Sequence, residues 1–127
     1  MLNVQGLSPL TLAFLGDGVY GLLVRERLCE CSRPAGELHS RSVRFVNATA
    51  QAKAFKLIEP MLSEEEMSIF KRGRNAHTNT TPKNSTNGEY HAATGLETLF
   101  GYLHLKGDKD RIDQLFSVIW SAFSQEL

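Results

Sequence analysis

Cysteine is scarce in this chain. Its 127 residues include only two, Cys29 and Cys31, one position apart. That is too few for a disulfide framework, so a reduced, cytoplasmic setting is the simplest expectation. Cys29 and Cys31 with His39 offer at most three ligands and lack the spacing of a structural zinc site. No apolar run approaches the roughly 20 residues needed to cross a bilayer. The amino terminus has no basic start of the secretory kind. An excess of either charge is also missing, because 14 Lys and Arg balance 14 Asp and Glu. Bulk charge therefore gives no hint of a nucleic-acid partner, and only its local distribution can. No strand pair, internal repeat or second domain is evident. With 42% hydrophobic residues, the chain can bury an ordinary core. We expect an all-α fold, with residues 1–127 forming a single domain.

The punctuation that is present is helical. Ser8-Pro9 makes a good start, Ser as N-cap and Pro at the first helical position, for a helix running to about Leu28. Gly16, Gly18 and Gly21 inside it each lower helix propensity, but small residues let another backbone approach closely. This helix is therefore expected to be central or at an interface. Arg33-Pro34 opens a second helical region with a break expected near Ser40 to Ser42. Val43, Val46, Ala50, Ala54, Leu57 and Ile58 form an apolar stripe that ends before Pro60. Ser63-Glu64-Glu65-Glu66 reads as a capping box, and the helix it starts dissolves around Arg74. The polar stretch from Asn75 to Gly88 reads as a long loop, a type often functional. Tyr90 to about Leu105 returns to helix. Asp108 begins a final amphipathic helix carrying Ile112, Leu115, Phe116, Ile119, Trp120 and Phe123.

Two acids stand out by isolation. Asp17 is the only charged residue between Met1 and Val24, and Glu97 the only carboxylate between Tyr90 and Leu105. A lone charge on a largely buried helix is disfavoured by desolvation unless it has a partner or a task. Together the two could hold Mg2+, a hard cation that keeps several waters and often takes only one or two protein carboxylates. Such an ion would stabilise charge on a phosphodiester and acidify a coordinated water. The alternative is that each acid pairs with a distant Arg or Lys, or caps a buried helix end. His104, seven residues after Glu97, is expected to be structural.

Cations gather in Phe70-Lys71-Arg72-Gly73-Arg74-Asn75-Ala76-His77 and again at Pro82-Lys83-Asn84. Lys71, Arg72, Arg74 and Lys83, beside hydroxyl and amide side chains, suit contacts with phosphates and sugar hydroxyls. A solvated loop after a basic helix end would look the same. Arg41, Arg44, Lys53 and Lys56 are the next densest cations.

Phe14-Leu15-Gly16-Asp17-Gly18-Val19 resembles the signature helix of the ribonuclease III family. Leu96-Glu97-Thr98-Leu99-Phe100-Gly101-Tyr102-Leu103 resembles that family's second acidic helix. Gly36-Glu37-Leu38, Val46-Asn47 and Lys71-Arg72-Gly73 fit between them in order. The form most similar is the Mini-III branch, a catalytic domain without a double-stranded-RNA-binding domain, and no such extra domain is expected here. The resemblance implies an all-α endonuclease that dimerises through the signature helix. It implies Mg2+-dependent cleavage of double-stranded RNA to 5′-phosphate and 3′-hydroxyl ends, with Asp17 and Glu97 as the acids that carry over. For this branch it implies maturation of precursor large-subunit (23S) ribosomal RNA, with room for a ribosomal-protein helper. The wider family places a Glu where this chain has Ala13 and an Asp where it has Thr94. One held Mg2+ is thus easier to support than two, and a second could arrive with the RNA.

The sequence reading is therefore a homodimeric, Mg2+-dependent endoribonuclease. Asp17 and Glu97 are its catalytic and metal residues, and Lys71, Arg72, Arg74 and Lys83 its RNA-binding residues. One rival is a ribonuclease III-like RNA-binding module of ribosome assembly that has lost its chemistry. Another is a helical dimerisation domain that binds no RNA.

Overall fold

A computed structural model describes residues 3–31, 33–76 and 87–126. Six α-helices dominate: α1 (Pro9–Leu28), α2 (Ala35–Val46), α3 (Ala48–Ile58), α4 (Glu64–Arg74), α5 (Asn87–Lys106) and α6 (Lys109–Phe123). Short 3₁₀ turns at Val4–Gly6, Cys29–Cys31, Glu59–Met61 and Ser124–Glu126 complete the described elements, none of which is a strand. No helix is long and apolar enough to cross a membrane among the described residues.

Most helix starts are set by the residues the sequence suggested. Ser8 caps α1 by accepting from the Thr11 amide at 3.1 Å. At α4, Ser63 and Glu66 exchange the two hydrogen bonds of a capping box. Asp108 caps α6 through the Arg111 amide. The break in the second helical region differs from expectation. It falls at Asn47 rather than at Ser40 to Ser42. The hydroxyls of Ser40 and Ser42 donate to the carbonyls of Gly36 and His39, which lets the helix run on. Asn47 instead accepts from the Ala50 amide, starting α3, while its own amide donates back to the Val43 carbonyl. The apolar stripe is also displaced at its start. Val43 is 49% exposed, and Phe45 takes the buried place, packed on Trp120 and Phe123.

α5 is the central element, buried along most of its length from Ala93 to Leu103. α1, α3 and α4 pack on it. The α1–α5 crossing is so close that a Cβ on Gly16 would run into the Glu97 carbonyl, and one on Gly101 into the Leu12 carbonyl. The Thr98 hydroxyl adds a hydrogen bond to the Pro9 carbonyl at 3.1 Å. Gly73 and Gly95 do the same for the α4–α5 contact, where Cβ atoms would strike Thr98 and Phe70. Close approach was expected of Gly16, Gly18 and Gly21, but only Gly16 needs it within the chain. The other two face open space. At the far side, Arg111 of α6 binds Glu66 through two nitrogens, both at 2.7 Å, and donates also to the Met61 carbonyl. This fork ties α6 to the start of α4.

Backbone carbonyls cannot retreat as a flexible side chain can. Gly101→Ala should therefore cost at least about 3 kcal/mol in urea unfolding, the upper end of overpacking effects. Gly36→Ala, in open space on α2, should leave stability unchanged or raise it by up to about 1 kcal/mol through helix propensity.

Candidate active site

The α1–α5 crossing brings the two solitary acids together. Glu97 leaves α5 at the residue whose carbonyl faces Gly16, and Asp17 is the next residue along α1. Their carboxyls are close enough for Asp17 to act on the Glu97 pKa. Neither is fully buried: Glu97 is half-buried on α5. Asp17 is exposed, because α1 points Leu12, Ala13, Gly16, Tyr20 and Val24 into the core and position 17 lies on the rim of that face. Among the described residues no Arg or Lys influences Glu97, which disfavours an ion pair with any of them.

Burial pushes the Glu97 carboxyl up to about 8, and the hydrogen bond and negative charge of Asp17 add to the rise. A third side chain acts in the opposite sense. Gln51 of α3 is close enough to the Glu97 carboxyl to lower its pKa. Gln51 is 2% exposed, and its Nε2 has no partner with full hydrogen-bond geometry. Sequence reasoning missed it, although a signal was available. Position 51 lies in the buried register of α3, three residues before Ala54 and seven before Ile58. A polar residue there among apolar ones has to have a reason.

The two positions at which the resemblance led us to look for further acids are closed off. Ala13 and Thr94 are each 6% exposed, and the Thr94 hydroxyl donates to the Tyr90 carbonyl of its own helix. Among the described residues no three His, Cys, Asp or Glu side chains gather as a metal cluster. Asp17 and Glu97 are thus two oxygen donors with an amide beside them, a set that suits a hard cation completed by water. Cys29 is exposed and Cys31 half-buried, both as free thiols. His104, two turns beyond Glu97 on α5, is exposed and lines a cavity of about 300 Å³ with Val19 and Leu22.

Lys71, Arg72 and Arg74 are exposed on the last turn of α4. Lys71 and Arg72 line one groove with Ser68 and Asn75. Arg74 lines another, of about 550 Å³, with Lys53, Lys56 and Phe70. Arg72 is held by the Leu7 carbonyl at 3.5 Å, and Arg74 lies over the Phe70 ring. Lys83 lies outside the described residues. Of the second group of cations, Arg41 is paired with Glu37 at 3.1 Å.

A Ribonuclease III domain matches the chain over residues 10–108, spanning both acids. The chain belongs to the ribonuclease III family. It is 45% identical over 117 residues to a Mini-ribonuclease 3 from Thermoanaerobacter sp., covering 91% of this chain and 82% of that protein. A Mini-ribonuclease 3 from Synechocystis sp. is 44% identical over 117 residues, covering 91% of this chain and 80% of its own. The crystal structure of a Fusobacterium nucleatum protein superposes with a TM-score of 0.85 at 31% identity, over 100% of both chains. The fold is that of a ribonuclease III-type helical domain and the protein is an endoribonuclease.

The raised Glu97 pKa has a consequence for stability. The folded state holds this proton more tightly than the unfolded chain, whose carboxyl titrates at its ordinary 4.5. The contribution is complete below pH 4.5 and is lost as pH rises through about 8. In metal-free buffer the melting temperature of the wild type should fall between pH 5.5 and pH 8.5 relative to Glu97→Gln. Subtracting the two thermal profiles cancels the histidines common to both.

Proposed function

We propose that this endoribonuclease is Mg2+-dependent and cuts double-stranded RNA, with Asp17 and Glu97 as the acids that hold the cation. The closeness of the two carboxyls, one exposed and one desolvated, carries the reading. Asp17 on the rim is accessible to solvent and substrate, while Glu97 lies deeper and is poorly solvated as an anion. Two like charges in contact resist joint ionisation, and a divalent cation relieves both burdens at once. When bound, Mg2+ supplies neutralisation of the charge that develops on the scissile phosphate and lowers the pKa of a coordinated water. One firmly held ion fits two carboxylates, and the products are 5′-phosphate and 3′-hydroxyl ends. Lys71, Arg72, Arg74 and Lys83 bind the duplex backbone, the first three from one helical turn beside α5. The residues 1–127 act as one catalytic unit.

The assembly we propose is a homodimer across α1. Leu10, Phe14 and Leu22 are 40%, 84% and 58% exposed, recurring at helical spacing with Gly18 between them. An apolar stripe of this kind on a monomer's surface calls for a partner, and a two-fold axis along it would present two sites to the two strands of a duplex. Following the resemblance to the Mini-III branch, we assign precursor large-subunit ribosomal RNA as the substrate and the cytoplasm as the location. A ribosomal-protein helper is compatible with this assignment.

Incubating the protein with long duplex RNA, with Mg2+ and then with a chelator, tests the reading. Asp17→Asn and Glu97→Gln should each lower the cleavage rate at least about a thousandfold while remaining folded. Full activity in either variant removes the assignment. Sedimentation should show a dimer at micromolar concentration, and Phe14→Ser should shift it to monomer. For the basic turn, Arg72→Ala with Arg74→Ala should raise KM for duplex RNA. The same pair should flatten the dependence of log affinity on log salt by roughly one per lost phosphate contact, with much less change in rate at saturating RNA.

A further inference from the structure

We propose that Gln51 is a positioning residue that fixes the orientation of the Glu97 carboxylate for cation binding. The inference rests on the reading of Asp17 and Glu97 as the cation's ligands. Gln51 comes from α3, a different element from either acid, and is buried to 2% exposure. Buried amide donors are nearly always satisfied, yet its Nε2 has no complete hydrogen bond. α3 packs directly on α5, which leaves this amide close enough to the Glu97 carboxyl to lower its pKa. A donor kept dry beside one carboxylate, and otherwise unused, is placed for that carboxylate.

The need for such a donor follows from the geometry of glutamate. Its last torsion is broad and roughly two-fold, so the carboxylate plane is poorly fixed by the chain itself. An ionised carboxylate offers about four lone-pair sites on its two oxygens. A donor from α3 that occupies one of them selects the plane and leaves others to face Asp17 and a cation. Asp17 on the rim gives no such constraint from the buried side. With acids absent at positions 13 and 94, the site has few ligands, and the direction of each matters more. Outer partners of this kind typically govern metal affinity and activity by tenfold to a hundredfold.

The test uses Gln51→Met, close in volume but without a donor, and Gln51→Asn, which keeps the amide but withdraws it by one methylene. Binding of Mn2+ to the RNA-free protein is measured by calorimetry, with thermal melting and cleavage kinetics alongside. We expect Gln51→Met to stay folded and to melt close to the wild-type temperature, since the volume is conserved and the amide has no complete hydrogen bond to lose. Its Mn2+ affinity and its kcat should both fall by about tenfold to a hundredfold, with KM for duplex RNA within twofold of wild type. Gln51→Asn should fall in the same two measures, and it carries the test should the Met variant not fold. Mn2+ affinity and kcat within twofold of wild type in the folded variants would overturn the proposal. A loss of melting temperature with kcat and KM changing together would overturn it too, as a packing role. Asp17→Asn, run in parallel, separates the two levels. Retained Mn2+ binding there defeats the cation-site reading itself, whereas its loss alongside unchanged Gln51 variants defeats only the role of Gln51.

Discussion

Everything in the candidate site depends on how closely α1 and α5 cross. Gly16 and Gly101 each lie against a carbonyl of the opposite helix, and that approach sets where the next side chains fall. Asp17 follows Gly16 on one helix, and Glu97 is the residue whose carbonyl Gly16 meets on the other. A larger residue at either glycine would push the helices apart and separate the carboxyls with them. The same close packing desolvates Glu97 and leaves Asp17 at the edge. The chemical asymmetry between two residues of one type is thus produced by backbone packing.

The remaining elements hold that crossing in place and supply what it lacks. α3 brings the buried Gln51 side chain near Glu97. α4 packs on α5 through Gly73 and Gly95 and ends in a turn carrying three cations. α6 is fastened to the beginning of α4 by the Arg111–Glu66 fork, so the basic turn is anchored at its opposite end. Acid groups and cations therefore sit on one rigid frame rather than on separate loops, which favours precise placement of a long, stiff substrate.

Much of this was legible in the sequence, for definable reasons. Isolation of charge singled out Asp17 and Glu97, because each lies in an apolar run where a carboxylate has to be justified. The caps at Ser8, Ser63 and Asp108 were readable because capping is local. The break at Asn47 was not, because Ser40, Ser42 and Asn47 are all residues that can end a helix or sit within one. Which of them does so depends on where their side chains find carbonyls. The exposure of Asp17 was not legible either. α1 is apolar all round, so its pattern does not say which face meets α5. Gln51 was hidden for the opposite reason, a single polar residue inside an otherwise apolar stripe.

The distance along the chain between the two halves of the site has a consequence for biosynthesis. Thr98 reaches Pro9 across 89 positions, and Glu97 follows Asp17 by 80. Contacts of such separation require closure of a long loop and form late in folding. While the chain is being made, α1 emerges first and must wait for α5. Until then Asp17 stands alone on a helix, and the paired carboxyls do not exist. A nascent chain still attached to a ribosome, itself built of RNA duplexes, is in this way without the paired carboxyls until α5 has left the exit tunnel.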